Sequence, residues 1–180
     1  MKTLSTTALT AIALWTIAGS ALSGAQEIIM SKEQLLGPWR LVSFKAAANG
    51  KVTYPLGEHP GGYIEITPTR CWVMLIDPSR KPPAAPTPPD PATLTDAEAA
   101  ALMKSHVAYT GKYEVGAAPT PDGIEVTIHV DAASNQALAG SKRILYARVD
   151  GNKMVVKSPA LVVGTTGVRS VVELEYARAE

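Results

Sequence analysis

Leu35-Leu36-Gly37-Pro38-Trp39-Arg40-Leu41-Val42-Ser43-Phe44 carries apolar residues in alternation, the period of a β-strand rather than of a helix. Its Gly-x-Trp step plants one large indole where the strand begins. By alternation Trp39, Leu41 and Ser43 face one side and Arg40, Val42 and Phe44 the other. Both faces are partly apolar, so the strand is expected to have an interior on one side and a covering segment on the other. Upstream, Glu27 to Gln34 is a short polar lead of weak helical character, with Leu35 and Leu36 placed to plug one end of the sheet.

The chain that follows reads as more sheet. Asn49-Gly50 is a two-residue turn signal, because both residue types tolerate positive φ, and it returns the chain through Lys51 to Tyr54. Prolines and glycines between Pro55 and Gly62 break the ladder before Tyr63 to Thr67 resumes it. Pro68-Thr69 turns into Arg70 to Asp77, where Cys71, Val73 and Leu75 oppose Trp72, Met74 and Ile76. Seven prolines between Pro78 and Pro91 predict an extended connection. It leads to a helix opened by Thr95-Asp96-Ala97-Glu98, a capping box, running to about His106 and able to cover a barrel mouth. Further strands are expected over Val107 to Val115, Ile124 to Asp131, Arg143 to Val149, Met154 to Lys157 and Val168 to Tyr176. Their connections are Pro121-Asp122-Gly123, a loop at Ala132 to Gly140, Asp150-Gly151-Asn152, and a flexible joint at Gly164 to Gly167. Val107, Tyr109, Gly111, Tyr113 and Val115 share one face, as do Val168, Val172, Leu174 and Tyr176. The expected fold is all-β, an antiparallel calyx-like barrel of about eight to ten strands with one inserted helix, large enough to hold one small ligand.

Residues 1–25 read as a signal peptide: Met1-Lys2 is a positive start, Ala8 to Ala18 is an apolar run too short to span a bilayer, and Ser23-Gly24-Ala25 supplies small residues for cleavage. Residues 26–180 then form one domain, secreted or periplasmic, with no membrane span once the signal is removed. The 17 Lys and Arg against 16 Asp and Glu become balanced, since residues 1–25 contain Lys2 and no acid. A neutral chain without a basic cluster argues against nucleic-acid or anionic-membrane partners. Cys71 is the single cysteine, so stability rests on packing and sheet hydrogen bonds.

No compact catalytic constellation stands out. His59, His106 and His129 are isolated and Cys71 has no thiolate partner, so no metal site is expected; Gly164-Thr165-Thr166-Gly167 lacks the lysine of a phosphate loop, and no cofactor is expected. Tyr109 and Tyr113 project inward by alternation, where a phenol can hydrogen-bond a ligand, donate a proton or simply pack. His129 shares a face with Glu125 and Asp131 and reads as solvated; an inverted register would make His129 and Asp131 an interior acid–base pair. Tyr63 and Glu65 share a face opposite Ile64 and Ile66, exposed on the simple reading, whereas a buried Glu65 would have a raised pKa and could act as a general acid. Trp39 reads as the barrel floor, and Trp72 as either lumen wall or docking surface for the helix.

Four blocks, in order, resemble the bacterial and fungal lipocalin-like domain family: Leu36 to Ser43, Tyr54 to Gly57 with Pro60 to Tyr63, Thr67-Pro68, and Thr95 to Ala100 leading to Ala108 to Val115. The resemblance runs from about Gln34 to Tyr176 and implies a calyx whose relatives among true lipocalins bind small apolar molecules. It also implies an arginine from the last strand over the floor tryptophan, with Arg169 and Arg178 as candidates. The expected function is that of an exported binding protein for a small hydrophobic molecule, with Trp39, Tyr63, Trp72, Tyr109, Tyr113 and Tyr176 as ligand contacts. Two other readings stay open. One is an isomerase or cyclase acting on an apolar biosynthetic intermediate through Tyr109, Tyr113, His129 or Glu65; the other is a barrel filled by its own side chains.

Overall fold

The computed structural model describes residues 31–81, 94–162 and 168–180. The segment read as a signal peptide, most of the proline-rich connection and the Gly164 to Gly167 joint lie outside the described residues. In chain order the elements are α1 (Lys32–Leu35), β1 (Gly37–Ala48), β2 (Lys51–Thr53), β3 (Gly61–Ile66), β4 (Arg70–Ile76), α2 (Asp96–Lys104), β5 (His106–Thr120), β6 (Gly123–Ala133), a 3-10 turn at Gln136–Leu138, β7 (Lys142–Asp150), β8 (Lys153–Lys157), β9 (Leu161–Val162) and β10 (Arg169–Arg178). Eight strands close an antiparallel barrel in the order β1, β3, β4, β5, β6, β7, β8, β10 and back to β1. The short β2 and β9 add to β1 and β10 outside that circuit. Closure pairs the strands that an open sheet would leave with bare edges.

Turn chemistry sets most of the register. Asn49 and Gly50 both have positive φ, 49° and 73°, which joins β1 to β2 through a two-residue loop. Gly151, at φ 54°, does the same work between β7 and β8. The capping box at α2 forms as the sequence predicts: the Thr95 backbone N–H donates to Glu98 Oε2 at 2.9 Å and the Glu98 N–H donates to Thr95 Oγ1 at 3.3 Å. No residue of α2 is buried, so the helix is attached at the start of β5 rather than packed into the barrel.

Alternation breaks once in β1, and that break corrects the simple strand reading. Leu41 pairs with Tyr176 while Ser43 pairs with Glu175, so an extra residue sits at Val42. A bulge of this kind reverses the parity of everything beyond it. Trp39 and Leu41 therefore point inward before the bulge and Phe44 and Ala46 after it, while Arg40 and Val42 are exposed. Val42 apart, the apolar residues on both nominal faces of this strand need no covering segment: they belong to one interior face, interrupted. Leu35, which the alternation places in the strand, is the last residue of α1 instead and is buried at the barrel end. Val168, expected inward, lies before β10 and is 37% exposed.

The interior is built from the inward faces of all eight strands, chiefly Leu, Ile and Val with Trp39, Phe44, Tyr113, Met154 and Tyr176. Gly111 marks a close approach between β5 and β6, where the register shifts; a Cβ there would lie 2.1 Å from the carbonyl oxygen of His129.

Candidate functional site

One end of the barrel is sealed by its own side chains. Trp39 is fully buried, and its indole N–H donates to the Leu35 carbonyl at 2.8 Å, fastening α1 across the base. Arg178, from the end of β10 and in register with Trp39, lays its guanidinium 3.8 Å from the indole ring centre. The same guanidinium donates to the carbonyls of Leu36 and, at 3.0 Å, Gln34. Of the two candidates, Arg178 is thus the covering arginine. Arg169 is on the far half of β10, where it donates to the Ala160 carbonyl.

Above this floor the barrel encloses a cavity of about 310 Å³. That is the lower end of the roughly 300–1,000 Å³ usual for small-molecule sites. Most of its wall is aliphatic: Ile64, Ile66, Val126, Ile128, Leu145, Val156 and Leu174 are typical. Val107, Leu138 and Leu161 line the end opposite α1, where the loops after β6 and β8 lie.

The polar groups in the wall are few and of different kinds. Tyr113 points in, but its hydroxyl donates to the Thr67 carbonyl at 2.8 Å, and the Lys32 ammonium sits 5.0 Å from its ring centre. It fastens the β3–β4 turn and α1 to the wall. Tyr109 and Tyr176 are also wall residues. Burial pushes the Tyr109 phenol up to about 12 and the Tyr176 phenol well above its ordinary value, with Tyr109 and Cys71 adding to the latter. The Cys71 thiol is raised to about 11, again by burial first. All three groups therefore present protons, not negative charge, to the cavity at neutral pH.

Arg143 is the residue that strand-by-strand reading passed over. It opens β7, pairs with the inward Ile128, and shares its parity with the buried Leu145 and Ala147, so its side chain enters the cavity wall. Its guanidinium lies 5.4 Å from the centre of the Tyr109 ring. Its positive charge draws the Tyr109 phenol down, against burial. An arginine at an inward position of an otherwise Leu, Ala, Val strand was the available signal in the sequence.

Two of the expected ligand contacts lie elsewhere. Tyr63 and Trp72 are 52% and 45% exposed on the outer surface, because Ile64 and Ile66 of β3 and Cys71 and Val73 of β4 take the inward positions. With Met74 and Thr110 they line a shallow outer groove: Tyr63 is on the exposed face that alternation gave it, and of the two readings of Trp72 the lumen wall does not hold. Glu65 lies on the same outer face. His129 is outward as well, its Nε2 3.2 Å from Glu114 Oε1, and Asp131 is engaged by Arg70 at 2.8 and 2.7 Å. No interior His129–Asp131 pair exists. Trp39 is the floor, below the cavity wall, whereas Tyr109, Tyr113 and Tyr176 belong to that wall.

Among the described residues, no group of three or more His, Cys, Asp or Glu side chains could hold a metal ion, and no helix is long and apolar enough to cross a membrane. A family model described as a lipocalin-like domain matches residues 36–175. No curated protein and no solved structure matches the chain.

Proposed function

Because this chain belongs to the lipocalin-like domain family, we propose that its barrel is a binding site for a small hydrophobic molecule. The observation that carries the reading is the cavity of about 310 Å³ between a sealed floor and a loop-bordered end, walled mainly by aliphatic side chains. Moving apolar ligand surface from water into such a wall is favourable by roughly 25 cal/mol per Å² before the entropic cost of association is subtracted. Self-filling by the barrel's own side chains accounts for the base, where Trp39, Leu35 and Arg178 pack together, but it leaves the space above them unaccounted for.

The catalytic alternative loses most of its groups. Glu65 and His129 are outside the barrel, and the Tyr113 hydroxyl is committed to Thr67, which leaves Tyr109 as the sole member of that set with its hydroxyl in the cavity wall and no backbone acceptor. A single phenol with a raised pKa is a hydrogen-bond donor at neutral pH and a poor base. The binding reading includes export: the pattern of residues 1–25 supports delivery to a secreted or periplasmic location.

Native mass spectrometry of the protein purified from its source, followed by denaturing extraction, tests the binding reading together with titration of the neutral fluorescent probe N-phenyl-1-naphthylamine. The expected result is a stoichiometric apolar adduct or saturable uptake of the probe. A protein that carries no adduct and ignores the probe would overturn it.

A further inference from the structure

We infer that the ligand is amphipathic and carries a carboxylate, received by the Arg143 guanidinium beside Tyr109 at the end of the cavity opposite α1. This inference rests on the binding reading above and specifies the chemistry of its ligand. Arg143 enters a wall whose other polar side chains are neutral, the phenols with Asn135, Ser158 and the Cys71 thiol, and no aspartate or glutamate is among the described residues lining the cavity. Its Nε is buried and has no hydrogen-bond partner, and none of the ion pairs among the described residues includes it. A guanidinium remains charged at any ordinary pH, so unlike a lysine it has no neutral form in which to escape the cost of burial. Contact with the Tyr109 ring at 5.4 Å and a hydrogen bond to the Tyr109 hydroxyl offset part of that cost, but neither satisfies the buried Nε–H.

Charge and geometry together define what would complete the site. A carboxylate accepts two parallel N–H bonds from a guanidinium, and such charge-assisted pairs are shorter and stronger than neutral ones. A neighbouring phenol that keeps its proton is a third donor toward the same anion. The aliphatic wall between this point and the Trp39 floor then takes the ligand's apolar chain. A phosphate monoester would offer a guanidinium the same pairing, but with more charge to strip of water in a cavity where Arg143 is the one cation among the described lining residues; the singly charged carboxylate balances it. The opposed arginine, Arg178, does not compete, because it is outside the cavity wall, against the Trp39 ring, and donates to the Leu36 and Gln34 carbonyls.

Calorimetric titration of the full-length protein with decanoate and with decan-1-ol separates head-group recognition from burial of the chain, since the two differ only at the head. The expected result is at least tenfold tighter binding of decanoate. In Arg143→Met, decanoate affinity should fall at least tenfold while decan-1-ol affinity holds or improves, and Arg143→Lys, which keeps the charge and loses the fork, should fall between. Equal affinity of the two ligands for the unaltered protein would overturn the inference while leaving the apolar-binding reading intact, and so would an Arg143→Met variant that binds decanoate unchanged. Absence of binding by both ligands and by N-phenyl-1-naphthylamine would overturn both. Should Arg143→Met fail to fold, the comparison on the unaltered protein still decides the question.

Discussion

Replacing Arg178 with methionine tests the way the barrel floor is held. Methionine keeps the apolar stem but removes the cation lying 3.8 Å over the Trp39 ring and both donors to the α1 segment, at Leu36 and Gln34. A desolvated cation–π contact contributes on the order of 1–2 kcal/mol. A hydrogen bond from a charged donor adds roughly 1.5–3 kcal/mol when its acceptor cannot turn to water. The Leu36 and Gln34 carbonyls are near the barrel rim and regain part of their hydration, and the terms share one side chain, so the sum is well below simple addition: about 3 kcal/mol. For a domain of this size that is a fall in Tm of roughly 6–12 °C. Urea unfolding followed by circular dichroism measures the free-energy loss and a thermal melt the fall in Tm, with Arg169→Met as the control, since Arg169 is exposed and donates to a single carbonyl at Ala160; it should lose less than about 1 kcal/mol. If Arg178→Met costs no more than the control, the floor is held by burial of Trp39 and Leu35 and the arginine is a surface decoration.

Gly111→Ala should destabilise by about 3 kcal/mol or more, because the new methyl would meet the His129 carbonyl at 2.1 Å and the β5–β6 ladder must part to admit it; urea unfolding would show the loss, and a near-neutral result would mean that the ladder yields there. Cys71, buried with its thiol raised to about 11, should resist iodoacetamide in the native protein at neutral pH and react once urea unfolds it, as intact mass would record. Tyr109 should contribute to alkaline unfolding: its phenol is near 10.0 when unfolded and about 12 when folded, so its stabilising contribution is complete below pH 10 and is lost as pH rises through 12. At roughly 1.4 kcal/mol per pH unit that loss approaches ~3 kcal/mol, and Tyr109→Phe should flatten the stability profile over this range.

The strands were legible because each is short, bounded by strong turn residues and patterned at period two. Ile124 to Val130 alternates without exception, and every second residue is buried. The same logic placed Tyr109, Tyr113 and Tyr176 in the wall. Parity also put Tyr63 outward and left Trp72 open; size and aromaticity, rather than parity, carried both into the set of ligand contacts, although Ile64, Cys71 and Val73 occupy the inward positions. It misread the far half of β1 for a different reason. A bulge adds a residue with no chemical mark of its own at Val42-Ser43, and the parity of Phe44 and Ala46 turns on it.

Local residue chemistry therefore specified the eight barrel strands, though not the two-residue β9, together with the main turns, the α2 cap and the tryptophan at the start of the first strand, since each depends on neighbours within a few positions. Closure of the circuit through β1 and β10, the choice of Arg178 over Arg169, and the meeting of Arg143 from β7 with Tyr109 from β5 depend on register between strands distant in the chain. A single sequence read along its length carries parity but not stagger, and stagger is what determines which inward side chains from different strands stand at the same height in the barrel.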